Sequence, residues 1–246
     1  MFRMFLVTAL VAALPAAARG DSVLYDGALG STPAAQGWLY LSNPLAGALA
    51  TQSASNGFTT LDTTPRASDS AGYFSAGQAS VGVLDRAVGY TIDLRLRVLQ
   101  ETHLNTNRAG FSLLVLGNDA WGVELGFWAD EIWAQNPGFT HGEGVLFDTT
   151  GAVTDYALTA FGSSYALTAN GNTVLSGALR DYSAFGAPYN TTHLVFMGDN
   201  TSSAAAGVQI ARVGVTQGAT LPEPASALLV ALGLGLLRLG RRRAPR

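Results

Sequence analysis

The stretch from Trp121 to Trp133 holds three tryptophans, Trp121, Trp128 and Trp133, together with the carboxyl groups of Glu124, Asp130 and Glu131. Those residue types suit a glycan. Most glycosidases cut their bond with two carboxyl groups about 5 to 9.5 Å apart, and aromatic faces stack on the apolar faces of sugar rings. Neighbours on a strand point to opposite faces, so Asp130 and Glu131 make a poor pair. Glu124 and Glu131 would face each other if 121–128 and 131–135 form a hairpin across Ala129-Asp130, and that is the one carboxyl arrangement worth testing. The same alternation puts Val123, Leu125 and Phe127 on one face and Glu124 with Trp128 on the other, which would expose Trp128 at the hairpin end. Trp121, Trp128, Trp133 and Glu124 are therefore the candidate glycan-binding residues. The competing reading is that the tryptophans fill the core or its rim, because tryptophan is highly buried on average.

Other chemistry is thinly represented. His103, His141 and His193 form no metal-ligand spacing. His141-Gly-Glu143 lies in a glycine-rich stretch and reads as a surface turn. There is no Gly-x-Ser-x-Gly elbow, and no glycine-rich loop opens a helix to cradle phosphate. With no cysteine in the chain, disulfides, thiolate catalysis and Cys-ligated zinc are excluded. The expectation is a non-enzymatic body without a cofactor.

The elements that would position these residues read as β-strands. Tyr90 to Val98 alternates over nine residues, with Tyr90, Ile92, Leu94, Leu96 and Val98 on one face and Thr91, Asp93, Arg95 and Arg97 on the other. A period of two over that length is a half-buried strand. Gly110 to Leu116 is a short apolar run of the buried-strand kind. Further strands are expected over 121–128, 131–135, 156–161, 165–169, 174–179, 193–197 and 208–215. Asn170-Gly171 is the strongest hairpin signal. Residues 31–80 are rich in Gly, Ser, Thr and Ala with weak periodicity, and predict loops and edge strands. No helix is expected between 21 and 220. Many short strands without crossover helices predict an all-β antiparallel sandwich or jelly roll over 21–218.

The two ends differ from this body. Arg3, an apolar run from Phe5 to Leu14 and the small residues Ala16 to Ala18 have the layout of a secretory signal peptide over 1–20. At the other end, Pro222-Glu223-Pro224 precedes a 13-residue apolar run, Ala225 to Leu237, and then Arg241, Arg242 and Arg243. As a helix that run spans about 20 Å, short for a bilayer core, and snorkelling by Arg238 extends it toward Gly240. The arginines belong on the cytoplasmic side. Between residues 21 and 220 stand seven arginines, no lysine and sixteen carboxyl residues, a formal charge of −9. That charge argues against nucleic acid and anionic lipid as partners.

The tail and the body each carry a resemblance. The Pro-Glu-Pro, the apolar helix and the arginine cluster over 221–246, paired with a signal peptide, resemble a PEP-CTERM sorting signal of Gram-negative bacteria. The resemblance implies export through the Sec machinery, transient anchoring through 225–240 and processing by an exosortase. The end point is the cell surface or the matrix of exopolysaccharide and biofilm. The stretches 88–100, 109–116, 122–133, 165–177 and 196–205 resemble a concanavalin A-like lectin/glucanase domain of the laminin-G-like kind. That resemblance implies a polysaccharide partner. Calcium held by loop oxygens is also implied, with Asp148, Asp199 and Asn200 as its candidates. Glucanases of that fold carry Glu-x-Asp-x-x-Glu on one strand, which this chain lacks. Together these give an exported, polysaccharide-associated, non-enzymatic surface protein, with a glycan-acting hydrolase or a purely structural matrix component as the alternatives.

Overall fold

The computed structural model describes residues 21–43, 47–76 and 79–218. The signal peptide expected over 1–20 and the whole of the expected sorting segment, with Pro222, Glu223, Pro224 and Arg241 to Arg243, lie outside the described residues. Within them the chain is an all-β antiparallel sandwich of two sheets. The first sheet runs β13 (Asn172–Ala178), β12 (Ser164–Ala169), β11 (Thr154–Phe161), β6 (Tyr90–His103), β16 (Ala204–Gln217), β4 (Phe58–Asp62) and β3 (Thr51–Ser55), with β1 (Asp21–Asp26) also on β16. The second runs β10 (Thr140–Leu146), β9 (Glu131–Asn136), β8 (Trp121–Phe127), β7 (Ser112–Leu116), β15 (Leu194–Asp199), β5 (Ala71–Phe74) and β2 (Leu39–Ser42), with β14 (Arg180–Asp181) also on β8. Among the described residues no helix is long and apolar enough to cross a membrane.

The strand periods account for the layers. Tyr90, Ile92, Leu94, Leu96 and Val98 of β6 are buried between the sheets, where they meet Leu113, Val115, Val123, Leu125 and Phe127 of the second sheet. Each such side chain contributes roughly 1.5 to 3 kcal/mol by leaving water. Asn170 and Gly171 both take positive φ, 48° and 82°, as a two-residue hairpin turn between β12 and β13 requires.

Residues 31–80 are more regular than their composition suggests. They supply β2 to β5, and of these only β2 and β3 are edges; β4 pairs with the central β16 and β5 with β15. The weak periodicity has a packing cause at Gly72. A Cβ there would stand 2.4 Å from the ring of Phe196, so the side chain from the neighbouring strand fills the position that an apolar residue would otherwise mark. The stretch around His141 is likewise no surface turn but strand β10, with a register break between His141 and Gly144.

β7, β8 and β15 are buried along nearly their whole length, on both faces. Their outer side is roofed by the chain from Tyr182 to Tyr189, and Leu114, Leu116, Leu194 and Phe196 pack beneath Tyr182 and Tyr189 as a second apolar cluster. This roofed face carries the candidate site.

Candidate functional site

Glu124 sits at the middle of that face and has no exposed surface. Its strand phase follows directly from the sequence, since its neighbours Val123 and Leu125 belong to the inter-sheet core. Only donors reach its carboxyl group. The Tyr189 hydroxyl donates to Oε2 at 3.0 Å and Asn200 Nδ2 donates to Oε1 at 2.7 Å. Asn200 Nδ2 also reaches the Tyr189 oxygen at 3.0 Å, and its own Oδ1 accepts from Arg108 at 2.7 Å. Arg108 in turn lies over the Phe139 ring, 5.1 Å from its centroid. Tyr182 closes the group by donating to the Gln135 carbonyl at 2.5 Å and accepting from the Glu124 backbone at 3.3 Å. Burial, and then the nearby Glu124, push the Tyr189 phenol well above its ordinary range and keep it protonated.

A cleft of about 430 Å³ opens beside this network, within the size range of small-ligand sites. Phe74 and Phe196, tilted against each other at 4.7 Å, and Tyr189 supply its aromatic surface; Ser42, Asn43 and Asn200 supply polar atoms. Tyr189 and Asn200 thus belong both to the cleft lining and to the Glu124 network. Asp199, the residue before Asn200, turns the other way. Its Oδ2 accepts from Thr63 Oγ1 at 2.8 Å and its Oδ1 from the Thr201 backbone at 3.0 Å. Burial raises its carboxyl to about 8.

The residues singled out from the sequence are dispersed. Glu124 and Glu131 do share a face, but the register sets Glu124 opposite Gln135 and places Glu131 beyond Trp133. Four residues of strand amount to about 13 Å, too far for the carboxyl pair of a glycosidase. Glu131 pairs instead with His141, 3.3 Å away. The three tryptophans do not share one surface either, and two of them follow the core reading. Trp121 is 37 % exposed under Arg86 at the far end of β8, whereas Trp128 is 7 % exposed and Trp133 fully buried. The hairpin end that should have bared Trp128 is covered by His103, stacked on its ring at 4.1 Å, and the Trp128 Nε1 donates to the Arg108 carbonyl.

The three calcium candidates do not form one site. Asp148 is occupied by Thr150 and the Gly151 amide, Asp199 by Thr63 and Thr201, and the Asn200 carbonyl oxygen by Arg108. Calcium asks for six to eight converging oxygens, and among the described residues no group of three or more His, Cys, Asp and Glu side chains is placed to hold a metal. His193 accepts a hydrogen bond from the Leu84 backbone at 3.1 Å.

No family model matches the chain, and no curated protein does. Solved structures match in fold. The carbohydrate esterase vb_24B_21 from Shiga toxin-encoding bacteriophage phi24B aligns with a TM-score of 0.56 and 15 % identity, over 81 % of this chain and 100 % of that one. A Bacillus subtilis protein with a galectin-like fold aligns at 0.48 and 10 % identity, over 80 % and 96 %. The family-7 alginate lyase A1-II' aligns at 0.46 and 12 % identity, over 81 % and 95 %. The first of these corrects the expectation of a non-enzymatic body. A carbohydrate esterase is built on this sandwich, so the fold is compatible with a carbohydrate-active enzyme.

Tyr189, Tyr182, Arg108 and Gln135 escaped the reading of the sequence. Nothing in the local pattern marks them, because they join the Glu124 network from segments 11 to 65 positions away in the chain, Tyr189 and Tyr182 directly, Arg108 through Asn200 and Gln135 through Tyr182.

Proposed function

We propose that this protein is an exported, carbohydrate-active enzyme that binds a glycan in the cleft beside Glu124 and hydrolyses it there. The observation that carries the reading is the buried Glu124 carboxyl, joined at 3.0 Å to a tyrosine hydroxyl that itself lines the cleft. Glu124 is shut off from solvent, so it acts through Tyr189. As the oxygen of a water in the cleft bonds to the anomeric carbon and the glycosidic C–O bond breaks, the water's proton passes to the Tyr189 oxygen while the Tyr189 proton moves to Glu124 Oε2. The departing oxygen takes a proton from solvent, and Glu124 later returns its own proton to solvent through Tyr189, leaving two sugar hydroxyls. Tyr189 is the group that touches substrate, and Asn200 fixes both partners. Phe74 and Phe196 offer the sugar ring an apolar wall. The carbohydrate esterase fold of the sandwich supports this class of substrate.

The test is release of reducing ends from a polysaccharide panel, including the host's own exopolysaccharide. Tyr189→Phe should lower kcat by roughly a hundredfold, the scale of one lost general acid–base group, with KM little changed. Failure of the parent protein to bind or cut any member would sink the reading.

The route outward is part of the same proposal, and rests on the two ends of the sequence. The signal peptide engages the Sec machinery, 225–240 holds the chain in the inner membrane with its arginines inside, and an exosortase removes the tail. Protein recovered from its host should have an intact mass ending near Pro222 to Pro224; a recovered species that retains Arg241 to Arg243 would refute processing.

A further inference from the structure

Strand β6 loses its simple alternation near its end. Val98 pairs with Val208 and Gln100 with Gly207, so Leu99 is left over as a bulge. An extra residue reverses the phase of the strand beyond it. The bulge turns Glu101 and His103 toward the second sheet, where the His103 ring stacks on Trp128 at an interplanar angle of 11°. The Glu101 side chain is 2 % exposed and its two oxygens lie 3.2 and 3.1 Å from His103 Nδ1. A carboxyl at that place fixes the tautomer: Nδ1 carries the proton and donates it, which leaves the Nε2 lone pair available. Among the described residues no hydrogen-bond partner faces Nε2.

His103 lines a groove of about 940 Å³, separate from the cleft at Tyr189. Its apolar wall is Ala129, Phe147 and Leu146, the last 82 % exposed. Its polar rim is Asp130, Asp148 and Thr150. An imidazole held by a buried carboxyl, locked by stacking and open at Nε2, is the arrangement of a general base. The acidic rim disfavours an anionic substrate and the apolar wall suits a short acyl chain.

We propose that His103 is the catalytic base of a second site, which hydrolyses small neutral acyl esters, with Glu101 as its positioning residue. This goes beyond the glycan cleft and does not depend on it. In the reaction a water oxygen bonds to the ester carbonyl carbon as its proton passes to Nε2, and the carbonyl electron pair moves to oxygen. Collapse re-forms the carbonyl, breaks the bond to the alcohol oxygen and returns the proton from Nε2 to that oxygen, giving one acid and one alcohol. The charged groups around the dyad are Asp130 and Asp148 on the rim, Asp199 behind Glu101, and the Glu131–His141 pair beyond Trp128.

The experiment uses p-nitrophenyl acetate and the protein purified from its host. The parent should hydrolyse it faster than an equal concentration of imidazole. His103→Gln should lower the rate roughly a hundredfold. Glu101→Gln should lower kcat while leaving KM unchanged, because an amide no longer holds the proton on Nδ1 and the ring in place, whereas the groove itself is untouched. Should His103→Gln fail to fold, carbethoxylation of the parent, mapped by mass spectrometry, replaces it: activity must fall in step with modification of His103. A parent rate no greater than imidazole's, or a folded His103→Gln with unchanged rate, overturns the proposal. An undiminished kcat in a folded Glu101→Gln overturns the role of that residue. Acid release is the readout here and reducing ends are the readout for the cleft, so the two sites fail independently.

Discussion

Glu124→Gln should melt within a few degrees of the parent and lose most glycan turnover, while Glu124→Ala should lose turnover and about 3 kcal/mol of stability together. The difference lies in what each change leaves behind. Glutamine keeps the volume and two polar ends: its Oε1 can accept from Asn200 Nδ2, and its amide can face the Tyr189 oxygen, the two contacts at 2.7 and 3.0 Å in the parent. What it cannot do is receive the Tyr189 proton. Alanine removes the acceptor from both donors at a position with no exposed surface. An unsatisfied buried donor costs on the order of 1 to 3 kcal/mol, and the emptied volume adds a cavity term. Urea titration of the three proteins, beside reducing-end assays, separates the roles. If Glu124→Gln retained parental turnover, Glu124 would be a structural acceptor and the proton path through Tyr189 would be wrong.

The sandwich was largely legible because period-two patterns are local. Tyr90 to Val98 reports its own burial, the run 110–116 reports burial on both faces, and Asn170-Gly171 reports its turn. The phase of Glu124 against Phe127 was legible for the same reason. The partners of Glu124 were not. Tyr189 stands 65 residues further on in a segment without periodicity, and only folding lays it over β8. Phe196 conceals the strand character of β5 by occupying the space above Gly72. The Glu101–His103 dyad was hidden by one bulged residue, Leu99: extended past Val98, an unbroken alternation puts Glu101 and His103 with the arginines on the outside. Asn200 stood out only as a calcium ligand, whereas its carbonyl serves Arg108 and its amide serves Glu124.

Asp199→Asn should raise the melting temperature at pH 8 and flatten its pH dependence. In the parent, Asp199 is 2 % exposed and burial holds its carboxyl at about 8, far above the ordinary value of 3.8. The folded state therefore binds a proton that the unfolded state has already released between those two values. In that window stability must fall as pH rises, on the order of 1 kcal/mol per pH unit, and level off above about 8. Below 3.8 both states are protonated and the dependence disappears. Asparagine copies the protonated acid. Its Oδ1 can accept from the Thr201 amide as Asp199 does at 3.0 Å, and its Nδ2 can donate to Thr63 Oγ1. Thr63 is then free to direct its own proton to the Ala206 carbonyl, 3.3 Å away, while still accepting from the Ala206 amide at 3.0 Å. Melting curves from about pH 4 to about pH 9 decide the matter: the variant should match the parent near pH 4 and exceed it increasingly toward pH 8. Parallel curves would mean that Asp199 ionises as readily in the folded chain as in the unfolded one, and that the polar junction of β4, β15 and β16 accommodates a charge.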